Sequence, residues 1–364
     1  MTTSETPEKS DAPRGFGEII GHSRAIDILQ SMLLSDEIPH AILFMGEEGI
    51  GKRTVARAFA QTLLCHERQM PEGPEGEEGP IEPCGRCLSC QKLSAGNHPD
   101  FMTIEPEGSA IKIEQVRTLQ DRIIYKPIDG PRRIILIDPA DKMNGAAANG
   151  LLKTLEEPPA HAVLILITAK PYSLPETILS RCQKISFYPL SLSQVEKLLA
   201  ERNHWSVQEA RLIAALTGGH LGEALSLSLE AAREMEEGLY TLVSEKTLMN
   251  YERLFEVATT YSRDEEVMAK SLHYLAAWFR DVLVLQAVPN PSMLDPSWLV
   301  YSWRHEEIKR WAGRMNTNEV ATFLSNLQIL QQAQIRNVNR QLSLENLLMQ
   351  LKDKLINQEQ KTSG

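Results

Sequence analysis

The sequence predicts an α/β domain with a doubly wound parallel sheet, followed by a region built only from helices. Short, continuous apolar runs such as Ala162–Thr168 are typical of strands that a parallel sheet buries on both faces. Segments with apolar residues at helical spacing separate these runs, and strands that alternate with helices favour a doubly wound sheet. From about residue 191 onward the spacing is helical to the end of the chain.

We expect the chain to divide where strands give way to helices. A length of 364 residues is enough for two or three domains, each with its own core. In order, the predicted segments are a disordered leader at 1–13, an α/β domain at 14–188, a small helical domain at 189–230, a larger helical domain at 231–358 and a tail at 359–364.

The composition limits the class of protein. A net charge of −10 argues against a protein that coats nucleic acid through bulk electrostatics, although a local basic face would be compatible with it. No apolar run approaches the length of a membrane span. The polar start MTTSETPEKSDAPRG also lacks the apolar core of a secretion signal. We therefore expect a cytoplasmic protein.

The elements of the α/β domain follow in order along the chain. An amphipathic helix and a buried strand lead into ILFMGEEGIGKRT, and KRTVARAFAQTLLC continues as a helix. The acidic, Pro- and Gly-rich segment PEGPEGEEGPIEP has nothing to bury and is expected to be a loop. The later predicted elements are a strand at Phe101–Ile104, a helix at Ile113–Ile124, a strand at Arg132–Asp138, a helix through GAAANGLLKTLEE that stops at Pro158 and Pro159, and a strand at Ala162–Thr168.

The segment GEEGIGKRT matches the phosphate-loop pattern G-x-x-x-x-G-K up to its last position. The strand before it and the helix after it favour a phosphate loop over a chance glycine-rich turn. The pattern ends in a Ser or Thr that ligates Mg²⁺, but this chain has Arg53, which has no lone pair for a metal, and a hydroxyl only at Thr54. Lys52 would reach the β- and γ-phosphates. The candidate nucleotide-binding residues of the loop are Gly46, Gly49, Gly51, Lys52, Arg53 and Thr54.

A strand that ends in an aspartate should supply the second half of a phosphate site, and IILIDPAD provides it with Asp138. A plain core strand that ends in Asp would explain Asp138 nearly as well. Where a Glu would polarise the attacking water, the chain has Pro139, and Asp141 is expected to cap a helix or to lie in solvent. Because both halves of the site lack catalytic atoms, the sequence points away from hydrolysis.

Four cysteines form a candidate metal site. Cys84, Cys87 and Cys90 stand in CGRCLSC, two successive C-x-x-C steps, and Cys65 ends the preceding helix. Four thiolates satisfy a tetrahedral Zn²⁺ with no open position, so the zinc would be structural, in an insertion at 65–90. Disulfides or free buried thiols are the alternatives, and a cytoplasmic chain disfavours stable disulfides.

Other residues have a plain structural interpretation. Taken alone, Arg181 in LPETILSRCQKISF would be a surface arginine, and His98-Pro99-Asp100 would be a turn with a capping Asp. Tryptophans at helical spacing among Leu and Val are expected in helical cores rather than in a base-stacking platform. These are Trp278, Trp298, Trp303 and Trp311.

Together these motifs resemble the ATPase-fold subunits of the bacterial DNA polymerase III clamp loader, and most closely the delta-prime branch of that family. The resemblance spans nearly the full chain and rests on GEEGIGKRT, the cysteine cluster, HPD, IKIEQVRTL, IILIDPADKMNGAAANGLLKTLEEPP, LPETILSRCQ and NVNRQLSLENLLMQL. It implies an AAA+ P-loop domain at 14–188, a helical lid at 189–230 and an all-α collar at 231–358 that holds subunits in a ring.

The resemblance also implies roles for particular residues. Delta-prime subunits commonly lack ATPase activity, and the arginine of their SRC motif, here Arg181, is offered in trans to the ATP site of a neighbouring gamma/tau subunit. Thr168 matches the region of the sensor-1 residue. Glu223 stands where active relatives carry the sensor-2 arginine, and a carboxylate would repel phosphate there. The loop can still hold ATP or ADP, but neither Mg²⁺ ligation nor turnover is expected.

The partners that the resemblance implies are gamma/tau and delta subunits in a hetero-pentameric ring, the sliding clamp, and primed DNA contacted through the assembled complex. No membrane partner is expected. The rival interpretation is an ATP-hydrolysing gamma/tau-like motor, which needs a Mg²⁺ hydroxyl, a Walker B acid and a sensor-2 Arg that are missing at the expected places. A third interpretation, an unrelated zinc-dependent DNA-binding protein, would require a basic domain, whereas this chain is acidic.

Overall fold

The computed structural model describes residues 15–70, 79–203, 205–288, 295, 298–333 and 339–362. The predicted leader, most of the acidic Pro- and Gly-rich loop and the end of the predicted tail lie outside these residues. The chain divides into two compact units, Met1–Leu190 and Ser191–Gly364. Each unit has its own set of buried apolar side chains.

A five-stranded sheet forms the centre of the first unit. Its strands are β1 Ala41–Met45, β2 Phe101–Ile104, β3 Arg133–Ile137, β4 Ala162–Thr168 and β5 Gln183–Ser186. Their order across the sheet is β2-β3-β4-β1-β5, and every neighbouring pair is parallel. This confirms the predicted α/β class with a parallel sheet.

Helices cover both faces of the sheet, as the crossover connections of parallel strands require. They are α1 Ser23–Ser35, α2 Lys52–Leu64, α3 Leu88–Ser94, α4 Ile113–Ile123, α5 Gly145–Glu156 and α6 Glu176–Leu179. On one face Phe44 packs in a core with Phe59 of α2, and on the other Leu43 packs in a core with Leu119 of α4 and Leu151 of α5. Because consecutive strand residues point to opposite faces, the sheet is doubly wound, as predicted.

The described residues of the second unit form helices and no strand. The helices are α7 Leu192–Asn203, α8 Val207–Thr217, α9 Leu221–Ser226, α10 Leu229–Tyr240, α11 Glu245–Leu248, α12 Tyr251–Tyr261, α13 Glu265–Ala287, α14 His305–Arg314, α15 Thr317–Ala333 and α16 Arg340–Thr362. Across the described ranges of both units, no helix is long and apolar enough to cross a membrane.

The tryptophans of the second unit follow the sequence prediction only in part. Trp278 and Trp311 are buried in helical cores, as expected, whereas Trp298 is 49% exposed. The prediction for Trp298 was wrong because this residue lies between α13 and α14, where helical spacing does not determine the direction of a side chain.

Candidate nucleotide and metal sites

The residues predicted to bind phosphate meet at one edge of the sheet. Gly46 follows β1, Asp138 follows β3, and Thr168 is the last residue of β4. The Gly46 N–H donates to the Thr168 carbonyl at 3.2 Å. Since all the strands are parallel, this edge carries their carboxyl ends, which is where open α/β sheets bind ligands.

The backbone of the loop requires glycine. Gly46, Gly49 and Gly51 have φ angles of 152°, 78° and 100°, which residues with a Cβ rarely adopt. At Gly46 a Cβ atom would also lie 2.5 Å from the carbonyl oxygen of Phe187. Helix α2 begins directly after the loop, at Lys52. The loop therefore leads into a helix end whose first N–H groups have no partner within the helix.

Lys52 lies inside this loop and is 5% exposed. Its ammonium group donates hydrogen bonds to the carbonyl oxygen of Gly46, at 2.6 Å, and to that of Glu47. Burial lowers the pKa of Lys52 below its usual range, and nearby carboxylates, chiefly Asp138, oppose this shift. The carbonyl oxygens of the loop thus accept the hydrogen bonds of a buried ammonium group. The oxygens of a bound phosphate could replace these carbonyl oxygens as acceptors.

Arg53 occupies the place where the motif needs a magnesium ligand. Its guanidinium forms an ion pair with Glu105, and another of its nitrogens lies 3.6 Å from a carboxylate oxygen of Asp138. Burial raises the pKa of Asp138, and the charges of Arg53 and Lys52 oppose this shift. Thr54 lies one position later on α2 and is partly buried. These residues do not fit Mg²⁺, because a permanent cation stands where a hydroxyl should be and already faces the aspartate.

Asp141 is held by the end of β4, which the sequence did not indicate. It accepts hydrogen bonds from the Thr168 hydroxyl at 2.6 Å and from the Ala169 N–H at 3.2 Å. The expectation of a helix cap or a solvated carboxylate was wrong, because the turn after Pro139 directs Asp141 toward the neighbouring strand. The hydroxyl of Thr168 is therefore engaged within the chain.

Arg181 lies at the amino ends of the strands, whereas the phosphate loop lies at their carboxyl ends. It precedes β5 by two residues, and the first residue of β5, Gln183, pairs with Ile42 near the start of β1. Gly46 follows the other end of β1, so the two sites are separated by the length of the strand, about 15 Å at roughly 3.3 Å per residue. Arg181 donates to Glu156 at 2.8 Å, at the end of α5, and its side chain is 35% exposed.

The four predicted metal ligands come together in the first unit. The Sγ atoms of Cys65, Cys84, Cys87 and Cys90 all lie within 4.8 Å of one another. Four sulfurs bound to Zn²⁺ at about 2.3 Å would be about 3.8 Å apart, and the Cys65 and Cys87 sulfurs are 4.0 Å apart. All four thiols are free of disulfides. The arrangement therefore fits a tetrahedral metal ion such as Zn²⁺.

Backbone N–H groups point at these sulfurs. The Cys84 N–H donates to Cys65 Sγ and the Cys87 N–H to Cys84 Sγ, both at 3.3 Å. Burial raises the pKa of Cys65 and Cys90. At Cys87 burial also opposes ionisation, but hydrogen bonds from the Cys90 N–H and other groups outweigh it and lower the pKa to about 7. The cluster therefore already favours one thiolate, the form in which cysteine binds metal.

The cysteine segment, residues 79–90, is connected to the rest of the first unit by hydrogen bonds between residues that are distant in sequence. The Gln30 side chain exchanges two of them with the backbone of Ile81, at 2.8 and 3.1 Å. The Glu82 carboxylate accepts the N–H groups of Phe16 and Gly17 at 2.8 Å each. These contacts join residues more than 50 positions apart, so no local sequence pattern could have revealed them.

Asp100 of the HPD turn anchors a loop instead of capping a helix. The turn itself is present, with the Phe101 N–H bonded to the His98 carbonyl. The buried Asp100 carboxylate accepts the N–H groups of residues 128–130 at 2.7 to 2.9 Å and a bond from the Arg133 guanidinium at 3.1 Å. The predicted cap was wrong because these partners come from a segment nearly 30 positions away.

His98 links this turn to the cysteine segment. Its Nδ1 accepts the Asp100 N–H at 3.1 Å, so Nε2 carries the proton and donates to Ser89 Oγ at 3.0 Å. Ser89 in turn donates to the Leu64 carbonyl at 2.7 Å. Leu64 ends α2 and Ser89 lies on α3, so this chain of bonds joins the two helices beside the cysteines.

Glu223, on α9 of the second unit, lies where the resemblance expects a sensor-2 arginine. Its carboxylate pairs with the ammonium of Lys270 at 2.8 Å. Lys270 also pairs with Glu266 at 2.9 Å. The acidic residue is therefore engaged within its own unit.

Comparisons with known proteins identify the relatives of this chain. A family model described as DNA polymerase III, delta subunit, matches residues 21–191. DNA polymerase III subunit delta' of Bacillus subtilis is 29% identical over 334 residues, which are 91% of this chain and 96% of that protein. Subunit delta' of Pseudomonas aeruginosa is 36% identical over 57% of this chain and 62% of that protein. Subunit tau of Escherichia coli is 35% identical over 60% of this chain but only 33% of tau.

The matched segment contains the phosphate loop, the cysteine cluster and Arg181. The Bacillus subtilis delta' match continues through the second unit and covers nearly all of both proteins. The comparisons therefore confirm the resemblance inferred from the motifs. The chain is therefore similar to the delta' subunits of bacterial DNA polymerase III over nearly its whole length.

Proposed function

We propose that the chain is a clamp-loader subunit that hydrolyses no ATP itself and supplies Arg181 to the ATP site of a neighbouring subunit. The observation that carries the first half is the pairing of Arg53 with Asp138 and Glu105. A phosphate loop needs a hydroxyl and an activated water for turnover. Here a guanidinium replaces the hydroxyl, and Pro139 replaces the acid that would activate water.

The position of Arg181 supports a role in trans. It lies at the edge of the sheet that carries the amino ends of the strands, away from the chain's own phosphate loop. A partly exposed guanidinium at that edge can be offered to a second subunit, where it would stabilise charge on a transferring phosphoryl group. Glu156 holds the guanidinium in one direction through a 2.8 Å hydrogen bond.

The names of the relatives support the partners that we propose. Relatives called delta', tau and gamma are all subunits of DNA polymerase III. We infer that this chain assembles with gamma/tau and delta subunits in a hetero-pentameric ring in the cytoplasm. In this proposal the ring places a sliding clamp on primed DNA, and the collar at 231–358 holds the ring together.

We further propose that the cysteine cluster binds one structural Zn²⁺. The four sulfurs have the spacing for it, and hydrogen bonds at Cys87 favour the thiolate of that residue. With four protein ligands no position is open to substrate, so the metal would serve folding and not chemistry. Metal analysis of the purified chain should find about one zinc per chain, and replacement of Cys90 by Ser should abolish this content.

ATP turnover tests the main proposal. The purified chain alone should show none. When gamma/tau, delta, clamp and primed DNA are added, the native mixture should hydrolyse ATP. Arg181→Ala should remove the part of this turnover that comes from the neighbouring ATP site to which Arg181 is offered. Arginine fingers accelerate phosphoryl transfer by about 10³- to 10⁵-fold. Arg181→Lys should rescue little, because an ammonium lacks the planar fork of a guanidinium.

Controls separate this role from assembly. The exposed Arg24→Ala variant on α1 should leave turnover unchanged, and size-exclusion chromatography should show intact complexes with both variants. Full turnover with Arg181→Ala would contradict the trans role. Turnover by the isolated chain that Lys52→Ala abolishes would instead support the gamma/tau-like motor.

A further inference from the structure

The environment of Arg53 indicates how the phosphate loop could work without metal. In a metal-dependent phosphate loop the residue after the lysine ligates Mg²⁺. The aspartate at the end of the Walker B strand, which corresponds to β3 here, helps to hold the same ion. In this chain the same two positions, Arg53 and Asp138, face each other directly with 3.6 Å between a nitrogen and an oxygen. Glu105 pairs with the guanidinium from the end of β2.

Charge favours the guanidinium over a divalent ion at this place. Arg53 is permanently cationic, and two carboxylates, Glu105 and Asp138, already pair with it. A Mg²⁺ ion would have to approach against this positive charge and would find no hydroxyl ligand.

The other parts of the loop are suited to phosphate. The glycines have the left-handed backbone that brings N–H groups toward an anion. Lys52 is a buried ammonium bonded to loop carbonyls. The Arg53 side chain is 43% exposed, and its five N–H donors exceed what two carboxylate contacts use.

We propose that Arg53 is a built-in replacement for Mg²⁺, and that the loop holds the diphosphate of a nucleotide without any metal ion. Lys52 and the loop N–H groups would bind the phosphate oxygens, and Arg53 would supply the charge that the metal supplies elsewhere. The proposal rests on the assignment of GEEGIGKRT as a phosphate loop and is independent of the role of Arg181.

Calorimetric titration of the full-length chain with ADP tests this directly. The titration is performed once with EDTA and once with millimolar Mg²⁺. Native protein should bind ADP with dissociation constants that agree within about threefold in the two buffers. Dependence of native binding on Mg²⁺ by tenfold or more would overturn the proposal, and so would the absence of ADP binding in both buffers.

Variants at position 53 provide the matched test. Arg53→Thr restores the hydroxyl and leaves Asp138 and Glu105 without their cation, so its ADP binding should become at least tenfold stronger with Mg²⁺ than with EDTA. Mg²⁺ alone should also raise the melting temperature of this variant and leave that of native protein unchanged. An Arg53→Thr variant as indifferent to Mg²⁺ as native protein would overturn the replacement role.

Two controls complete the design. Arg53→Lys keeps the positive charge, so ADP binding by this variant should remain independent of Mg²⁺. Arg263→Thr removes an exposed arginine of the second unit that pairs only with its neighbour Asp264 in the described residues, and it should behave as native protein. Because neither titration involves Arg181 or other subunits, failure here would leave the trans role of Arg181 untouched.

Discussion

His98 is held in its neutral form by hydrogen bonds on both ring nitrogens. Nδ1 accepts an N–H, which leaves the proton on Nε2 for Ser89. Burial also lowers the pKa of His98 below its usual value of 6.5. A second proton would require the ring to break its bond to the Asp100 N–H inside the first unit. The folded state therefore resists protonation of this residue.

This tautomer predicts that the first unit loses stability in mild acid. Below about pH 6.5 the unfolded chain takes up a proton at position 98 that the folded chain does not, so the stabilisation present above that pH is lost as the pH falls. Urea unfolding between about pH 5 and pH 8 should show this slope, which for one histidine is at most about 1.4 kcal/mol per pH unit. His22, also with a lowered pKa, adds a slope of the same sign.

The His98→Gln variant isolates the contribution of this residue. Its unfolding free energy should depend less on pH than that of native protein over the same interval. An unchanged slope in the variant would show that His98 can be protonated without loss of structure.

Substitution of Asp100 alone should cause a large loss in the free energy of unfolding. Asp100→Ala would remove the acceptor of three backbone N–H groups and the carboxylate that pairs with the buried guanidinium of Arg133, which would keep its bonds to the carbonyl oxygens of Arg122 and Lys126. Removal of one member of a buried ion pair typically costs about 3–5 kcal/mol. Chemical unfolding should show a loss of that size, whereas Glu67→Ala, which removes an exposed partner of Arg86, should cause little change. A loss below about 1 kcal/mol would mean that the loop at 128–130 has other support.

At the scale of elements, α2 connects the two candidate sites. It begins at Lys52 of the phosphate loop and ends at Leu64, directly before Cys65. Thirteen residues at about 1.5 Å each give a rod of about 20 Å. Both ends are tied, by the loop carbonyls around Lys52 and by the Ser89 bond to Leu64.

Removal of the Zn²⁺ that we propose for the cysteine cluster should therefore loosen one end of α2 first. We expect a zinc chelator to increase amide hydrogen exchange at the end of α2 and in α3, and to leave exchange in α4 and α5, on the other face of the sheet, nearly unchanged. Cys182→Ser, which alters a buried thiol outside the cluster, serves as the control. Chelator-independent exchange in α3 would show that the segment folds without metal.

The sequence allowed most of the sheet to be predicted, because three strands, β1, β3 and β4, are short apolar runs in which nearly every residue is buried. Phe101–Ile104 and Ala162–Thr168 have the predicted bounds. Strand β5 was missed, since Gln183–Ser186 lies at the edge and has only one buried residue, Ile185. Its strand character comes from pairing with β1 and not from composition.

The candidate sites could be predicted where their residues are close in sequence. The phosphate loop and CGRCLSC are contiguous, so their spacing alone indicates their chemistry. The contact of Arg53 with Glu105 and Asp138 joins three separate segments. The partners of Asp100 and Asp141 likewise depend on which strands become neighbours, and no local pattern contains that information.

At the scale of the whole molecule, the charge predicts how the chain meets DNA. The net charge is −10, so the isolated chain should be repelled by a phosphate backbone. Fluorescence anisotropy with a labelled primed duplex should show no binding by this chain alone at physiological salt, and binding by the assembled complex. Tight binding by the isolated chain would support the DNA-binding interpretation set aside above.

The placement of Arg181 and the phosphate loop at opposite edges of one sheet has a consequence for symmetry. Subunits that each give an arginine on one side and receive one on the other form head-to-tail contacts, which can repeat around a closed ring. A subunit that offers an arginine to its neighbour, but hydrolyses no ATP at its own phosphate loop, would interrupt that repetition. Such an assembly would have a first and a last position, and its cycle of hydrolysis would therefore have a direction.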